Sequence, residues 1–327
     1  MYTELGRERL KSGEVMEVGV VDAPDEEWLP RVAPFLGHKN NDYRAHIRRA
    51  LEGPLDGLET RFYVGHVGGR LISQIQVVGA RGVGILGHVF TLPEERRKGA
   101  CRAVMQHQME HSRRAGFRVL CLGTGFESPP YWIYHSFGFR SVGPGNGCMK
   151  WTAEPGAEEE LFRPGATTIR NVCWGDWGYF DLLALQPVGP NEELPRCPTL
   201  GLKGQGSVEG PFIGMLLRRE REALLQAKAL VTESGATVGW ALLGPDTRWN
   251  GDVWLLDVYT HPHFMDRQGE LLQSLELPEA PVAAYVGGPA GPRTAALRAV
   301  GFAETVSLPG WLEHDGRRRN LAVWIRK

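Results

Sequence analysis

No apolar run in the chain approaches the ~20 residues that a membrane-spanning helix needs. The opening segment, MYTELGRERLKSGE, lacks the apolar core of a secretory signal, so the sequence leads to the expectation of a cytoplasmic protein. Charge of one sign is not in excess either: 37 Lys and Arg stand against 38 Asp and Glu, a formal net charge of −1. That balance argues against a general nucleic-acid binder, whose basic excess gathers on one face. The densest basic cluster, Arg317 to Asn320, reads as a turn between two terminal strands. Cysteine is sparse. Cys101, Cys121, Cys148, Cys173 and Cys197 form no C-x-x-C pair and none lies at zinc-ligand spacing from a histidine. They read as reduced, packed thiols, and no metal is assigned. Two phosphate-loop signatures are also missing, G-x-x-x-x-G-K-[ST] and a G-x-G-x-x-G that opens a helix.

What is present is an ordinary globular composition, 42% apolar and 23% charged, over 327 residues, a length that suits two domains. The first part reads as mixed α/β. Val15 to Val21 is a strand, Pro24 to Phe35 and Asp42 to Leu51 are helical, and the polar run His38 to Arg44 reads as a loop between them. Thr60 to Val67 and Leu71 to Val78 make a hairpin turned by Gly68-Gly69, and Val83 to Thr91 is a further strand. An acidic stretch with Pro and Gly, EPGAEEELFRPG, marks a boundary, giving a first domain at 1–153, a linker at 154–166 and a second domain at 167–327.

The segment His88 to Phe139 carries the chemistry. An apolar strand runs into Pro93, then the basic turn ERRKGAC, then a helix-patterned run from Cys101 to Ala115. A second apolar strand, RVLCLGTG, and a short aromatic helix ending in YHSFGF follow. Strand, glycine-containing turn and helix N-terminus in that order make an anion site, because the first N–H groups of the helix have no partner within it. Arg96, Arg97 and Lys98 add positive charge, which suits a diphosphate.

Arg96-Arg97-Lys98-Gly99-Ala100-Cys101 resembles the Arg/Gln-x-x-Gly-x-Gly/Ala signature of the GNAT N-acetyltransferase superfamily, with Cys in the last place. Tyr134, Gly138 and Phe139 are similar to that family's closing Tyr and Gly-Phe. The fold class implied is a mixed α/β sheet of the acyl-CoA N-acyltransferase type. The resemblance implies acetyl-CoA as co-substrate, with Arg96, Arg97, Lys98, Gly99, Ala100, Cys101 and Arg102 around the pyrophosphate and Val89, Phe90 and Thr91 along the pantetheine arm. It further implies that Tyr134 is the general acid that protonates the departing thiolate; packing with Tyr131, Trp132 and Phe137 is the alternative. His88 and Glu127 are the candidate bases, each with a bland alternative: a core histidine, and a carboxylate capping the helix that follows Ser128. A water relay to bulk would need neither. The implied partner is a small-molecule amine or peptide acceptor, with no nucleic acid or membrane.

The second part repeats the first in outline. ALVTESGATVGWALL is a hairpin like that at Gly68, VWLLDVYTHP parallels ILGHVFTLP, VAAYVGG parallels RVLCLGTG, and LRAVGF parallels YHSFGF. The copies differ where chemistry would sit. The basic turn becomes HFMDRQGEL, placing Asp266 and Glu270 where pyrophosphate would lie, and Leu297 stands at the tyrosine position. The expectation is two GNAT-like domains in tandem, the second degenerate. Rival functions on this fold are a non-catalytic acyl-CoA-binding protein, an aminoacyl or peptidyl transferase and an acyl-CoA decarboxylase.

Overall fold

Alternating and continuous apolar runs set the strands. In the computed structural model, which describes residues 1–222, 225–248, 252–314 and 316–327, the chain divides into two units. One comprises Met1–Glu158 with Cys173–Gly178; the other comprises Glu159–Val172 with Tyr179–Lys327.

The first unit contains β1 (Tyr2–Arg9), β2 (Val15–Asp22), α1 (Leu29–Phe35), α2 (Asn41–Glu52), β3 (Glu59–Val67), β4 (Arg70–Ala80) and β5 (Val83–Thr91). It continues with α3 (Ala100–Arg114), β6 (Val119–Gly123), α4 (Pro129–Ser136), β7 (Arg140–Ser141) and β8 (Cys148–Thr152). The strands form one sheet in the order β1-β2-β3-β4-β5-β6-β8-β7. Every neighbouring pair is antiparallel except β5 and β6.

Both faces of the sheet are covered. On α3 the residues Ala100, Val104, Met105, Gln108, Met109 and Ser112 are buried, a stripe at helical spacing. Val104, Met105 and Met109 pack with Val18, Tyr63, Ile75 and Val77 of the sheet. On the opposite face Val32 of α1 and Ile47 and Leu51 of α2 pack with Phe62 and Val64. The helix α2 starts earlier than its apolar pattern indicates. Asn40 caps it, its side chain accepting from the Tyr43 N–H at 3.1 Å. The run His38 to Arg44 is therefore not all loop: Asn41 to Arg44 are the first turn of α2.

Gly147, just before β8, marks a tight approach of two chain segments. A Cβ there would lie 1.8 Å from the Thr124 carbonyl oxygen, and the Thr124 N–H donates to Gly147 O at 3.0 Å. Gly147→Ala has to part these backbones and is expected to cost about 1–3 kcal/mol. Urea unfolding checks this, as a lower midpoint at unchanged m-value.

Further along the chain come α5 (Ala157–Leu161), β9 (Thr167–Asn171), α6 (Trp177–Ala184), α7 (Glu209–Arg221), β10 (Gln226–Thr232) and β11 (Thr237–Pro245). β12 (Trp254–Thr260), α8 (Gln268–Gln273), β13 (Val282–Gly287), α9 (Pro292–Ala299), β14 (Ala303–His314) and β15 (Arg317–Arg326) complete it. The second sheet runs β14-β15-β13-β12-β11-β10-β9. Read from β9, this is the first sheet from β2 onward, strand for strand, with the single parallel pair again in the middle, β12 beside β13. Both units are mixed α/β sheets of one topology. The cluster Arg317 to Asn320 is not a turn: it lies in β15, where it pairs with β14 through Arg317↔His314, Arg318↔Glu313 and Arg319↔Leu312. Alternating side chains on a ribbon keep four polar residues as exposed as a turn does.

Candidate active site

The parallel pair of the first sheet is short. It holds only Val83↔Val119, Gly84↔Leu120 and Ile85↔Cys121, although β5 runs on to Thr91 and β6 to Gly123. Beyond Ile85 the two strands part, and the edge of β5 that faces β6 has no sheet partner among the described residues. A bulge accompanies the parting: Gln74 pairs with Phe90 and Gln76 with Gly87, so His88 and Val89 together oppose Ile75. His88 takes φ of +50°, a left-handed conformation that only a surrounding framework holds in a histidine. In the second sheet β11 and β12 pair from Gly239↔Thr260 to Pro245↔Trp254 without any shift.

The β5 strand leads into the basic turn. Arg97 takes φ of +64° and Gly99 φ of +98°, and Gly99 is the N-cap of α3 with no side chain to satisfy the helix. The N–H groups at the start of α3 thus remain available for an anion. Of the cations, Lys98 is bound to Glu95 at 2.9 Å, and Arg96 Nε donates to Thr91 O at 3.2 Å. Arg102 donates to Ser136 Oγ at 3.2 Å and lies over the Phe137 ring, tying α3 to α4. Arg97 is exposed and forms no ion pair among the described residues. Ala100 is buried and Cys101 half-buried; burial pushes the Cys101 thiol up to about 11.

Tyr134 of α4 is buried in the same apolar cluster as Ala100, the first residue of α3. Burial first, and then the Cys101 thiol, push its pKa above the ordinary 10. The hydroxyl therefore stays protonated across the neutral range. The remaining predicted pantetheine residues lie past the parting point. Phe90 packs against Phe35 and His38, and Thr91 Oγ1 lies 2.8 Å from Ser73 Oγ.

The two candidate bases are in different settings. His88 is buried, with its ring 4.6 Å from that of Tyr43. Burial, with Lys39, His46 and His38 adding, lowers its pKa to about 3. Such an imidazole is neutral at pH 7 but holds a proton weakly. Glu127 is exposed, with φ of +55°. It does not cap α4: that place belongs to Ser128, whose hydroxyl accepts from Tyr131 N at 3.4 Å.

Sequence reasoning missed a set of buried polar groups on the α1–α2 face. His46 of α2 is fully buried against Trp174 and Trp177, its ring centroid 5.5 and 4.9 Å from theirs. Both its ring nitrogens, both side-chain polar atoms of Gln74, Nε2 of Gln76 and Nε2 of His88 have no hydrogen-bond partner among the described residues. In the sequence, Gln74 and Gln76 alternate with Ile75 and Val77, as on a strand with one wet face; β4 is instead buried on both faces. Among the described residues no group of three His, Cys, Asp or Glu is placed to hold a metal.

Burial lowers the pKa of His46 to about 3 as well. Between pH 6.5 and 3 the unfolded chain therefore takes up protons that the folded imidazoles refuse, and stability is lost as pH falls through that window. Each histidine contributes a slope of about 1.4 kcal/mol per pH unit. In His46→Phe the pH dependence of unfolding is expected to flatten by about that amount, as guanidinium titrations at a series of acidic pH values would show.

The sequence profile of the acetyltransferase (GNAT) family matches residues 24–139. Among curated proteins no sequence matches. Solved structures similar to part of the chain include an N-acetyltransferase from Staphylococcus aureus Mu50 (11% identity, 50% of this chain, 99% of that one, TM-score 0.40). The ribosomal-protein-alanine N-acetyltransferase of Brucella melitensis is similar at 19% identity over 49% of this chain and 98% of its own, with TM-score 0.36. A GNAT superfamily phosphinothricin acetyltransferase from Sinorhizobium meliloti, in complex with acetyl-CoA, shows 19% identity over 50% of this chain and 88% of its own, also with TM-score 0.36. At such identities and TM-scores none of these likenesses bears on substrate or site. What the comparisons establish is therefore a match of residues 24–139, about a third of the chain, to the acetyltransferase (GNAT) family.

Proposed function

We propose that the first unit transfers an acetyl group from acetyl-CoA directly to a primary amine of a small molecule or peptide. The observation that carries this is the conjunction of the parted β5–β6 edge, its bulge, and the uncapped, basic start of α3, whose Ala100 shares a buried cluster with Tyr134. The pyrophosphate lies on the turn from Arg96 to Arg102, and the pantetheine arm pairs with the open edge of β5 along Val89, Phe90 and Thr91. The neutral amine attacks the thioester carbonyl, whose oxygen takes on charge next to backbone N–H groups of β5. Collapse of the tetrahedral intermediate breaks the C–S bond, and Tyr134 gives its proton to the thiolate. The amine proton leaves through water, since His88 binds a proton weakly and Glu127 lies in solvent. The acceptor approaches from the α1–α2 face, where His46, Gln74 and Gln76 present unengaged polar atoms.

The second unit is read as a degenerate copy: it shares the strand order but has no bulge at the matching strand pair, and Asp266 and Glu270 stand in the matching turn. Thiol release from acetyl-CoA against a panel of amines tests the activity. Calorimetry of the full chain with acetyl-CoA is expected to give one equivalent bound. No amine-dependent release, or a second equivalent of equal affinity, would overturn the respective part of the reading.

A further inference from the structure

The gap where β12 and β13 part is filled by the chain itself. The α1–α2 link of the first unit is the short stretch Leu36 to Asn40, whereas the α6–α7 link of the second is the long segment Leu185 to Val208. Part of that segment enters the gap. Leu194 forms an isolated antiparallel bridge with Gly287 of β13, donating to its carbonyl at 2.8 Å and accepting in return. On the other bank, the Asp257 carboxylate of β12 accepts from the Thr199 N–H at 2.6 Å and the Cys197 thiol at 3.5 Å. Glu193 lays its carboxylate on the start of α9, accepting from the N–H groups of Arg293 at 2.8 Å and Thr294 at 2.9 Å.

This strap leaves a cavity of about 250 Å³ at the mouth of the gap, walled in part by Pro190, Pro262, Met265 and Pro292. Three further lining side chains, Tyr259, Gln268 and Arg293, are each no more than 5% exposed. Each carries a buried polar atom without a partner among the described residues: the Tyr259 hydroxyl, Gln268 Oε1 and Arg293 Nε. Of their other polar atoms, two have partners. Gln268 Nε2 donates to Thr260 Oγ1 at 3.1 Å, and an Arg293 terminal nitrogen donates to Pro195 O at 2.6 Å. The two carboxylates in the wall are engaged as well: Glu193 on α9 and Glu192 on Arg196, the closer contacts at 2.5 and 2.8 Å.

Three unsatisfied atoms around one cavity define the chemistry of what completes it. Gln268 Oε1 needs a donor, Arg293 Nε–H needs an acceptor, and the Tyr259 hydroxyl serves either way. A carboxylate would suit Arg293 but would meet Gln268 Oε1 and two carboxylates. An ammonium would suit Gln268 but would meet Arg293. A carboxamide presents a donor and an acceptor without charge, and the proline and methionine walls accept an apolar body. We propose that the second unit holds a binding site for a small neutral amide with an apolar body, in the cavity beneath the strap. The proposal does not rest on the function read for the first unit.

Benzamide, benzoate and benzylamine are matched probes that differ in charge at one group. They are titrated by calorimetry into the full chain without acetyl-CoA, so that no amine is turned over, and binding in the second unit is identified by its loss in variants of the cavity wall. Saturable binding of benzamide is expected, with benzoate and benzylamine each weaker by about tenfold or more. Gln268→Leu and Tyr259→Phe are each expected to weaken benzamide by about tenfold and to leave acetyl-CoA affinity unchanged. Tyr259→Phe removes a single oxygen, so it serves where Gln268→Leu perturbs folding. The proposal is overturned if benzamide does not saturate up to about 10 mM, if benzoate binds as tightly, or if Tyr259→Phe leaves benzamide affinity unchanged, in which case water is the partner of these atoms.

Discussion

Replacing Tyr134 by phenylalanine is expected to slow acetyl transfer by about 10²–10⁴-fold while acetyl-CoA still binds. The substitution removes one oxygen from a buried ring that packs 6.2 Å from Phe139 and leaves the hydrophobic contacts in place. What it removes is the proton that we propose goes to the leaving thiolate. The wild-type phenol is well suited to that role because burial and Cys101 hold its pKa above 10. The sign of the pH dependence follows: the acid is present at neutral pH and is lost only in strongly alkaline solution. No alkaline fall in rate from this group is expected below pH 10, the ordinary pKa of a phenol. Single-turnover rates at saturating acetyl-CoA isolate this step from product release. A purely structural tyrosine would show the reverse pattern, with lowered stability or coenzyme affinity and a near-normal rate. A rate within about threefold of wild type would remove Tyr134 from the mechanism.

How much of this could be read from sequence depends on how local the cause is. The strand at Val83 to Thr91 is a long apolar run, and its bounds are those of β5. The hairpin at Gly68-Gly69 is legible because both residues take positive φ, which glycine adopts freely. By contrast β1 is not legible in the sequence. Its sequence YTELGRER is half charged and has no fully buried residue, the usual dress of an edge strand, and only pairing with β2 makes it a strand. The bulge at His88 is equally hidden, because it exists only in the register between β4 and β5. Gln74, Gln76 and His46 look like solvent-facing polar residues until helices are laid over that face of the sheet. The strap across the second sheet is the extreme case. Nothing in the order Glu192-Glu193-Leu194 signals a bridge to Gly287, since the reason for it lies in a gap formed by strands far along the chain.

Charge reversal at Arg97 is expected to weaken acetyl-CoA binding without disturbing the fold. Arg97 already sits at φ of +64°, so glutamate there meets much the same backbone cost as arginine. Among the described residues Arg97 has no ion pair to lose, in contrast to Lys98, which holds Glu95. The effect therefore falls on the ligand. Loss of one charge-assisted hydrogen bond to a diphosphate is worth about 1.5–3 kcal/mol, or roughly tenfold to 150-fold in affinity. A carboxylate at the uncapped start of α3 adds repulsion and competes for the same N–H groups. Because the site is exposed, the loss should shrink as salt is raised and the Debye length falls from about 10 Å at 0.1 M. Calorimetry at low and high salt, alongside an unfolding midpoint to show an intact fold, separates this from a structural effect. Affinity unchanged at low salt would place the coenzyme away from the turn between β5 and α3, and with it the whole assignment of the donor site.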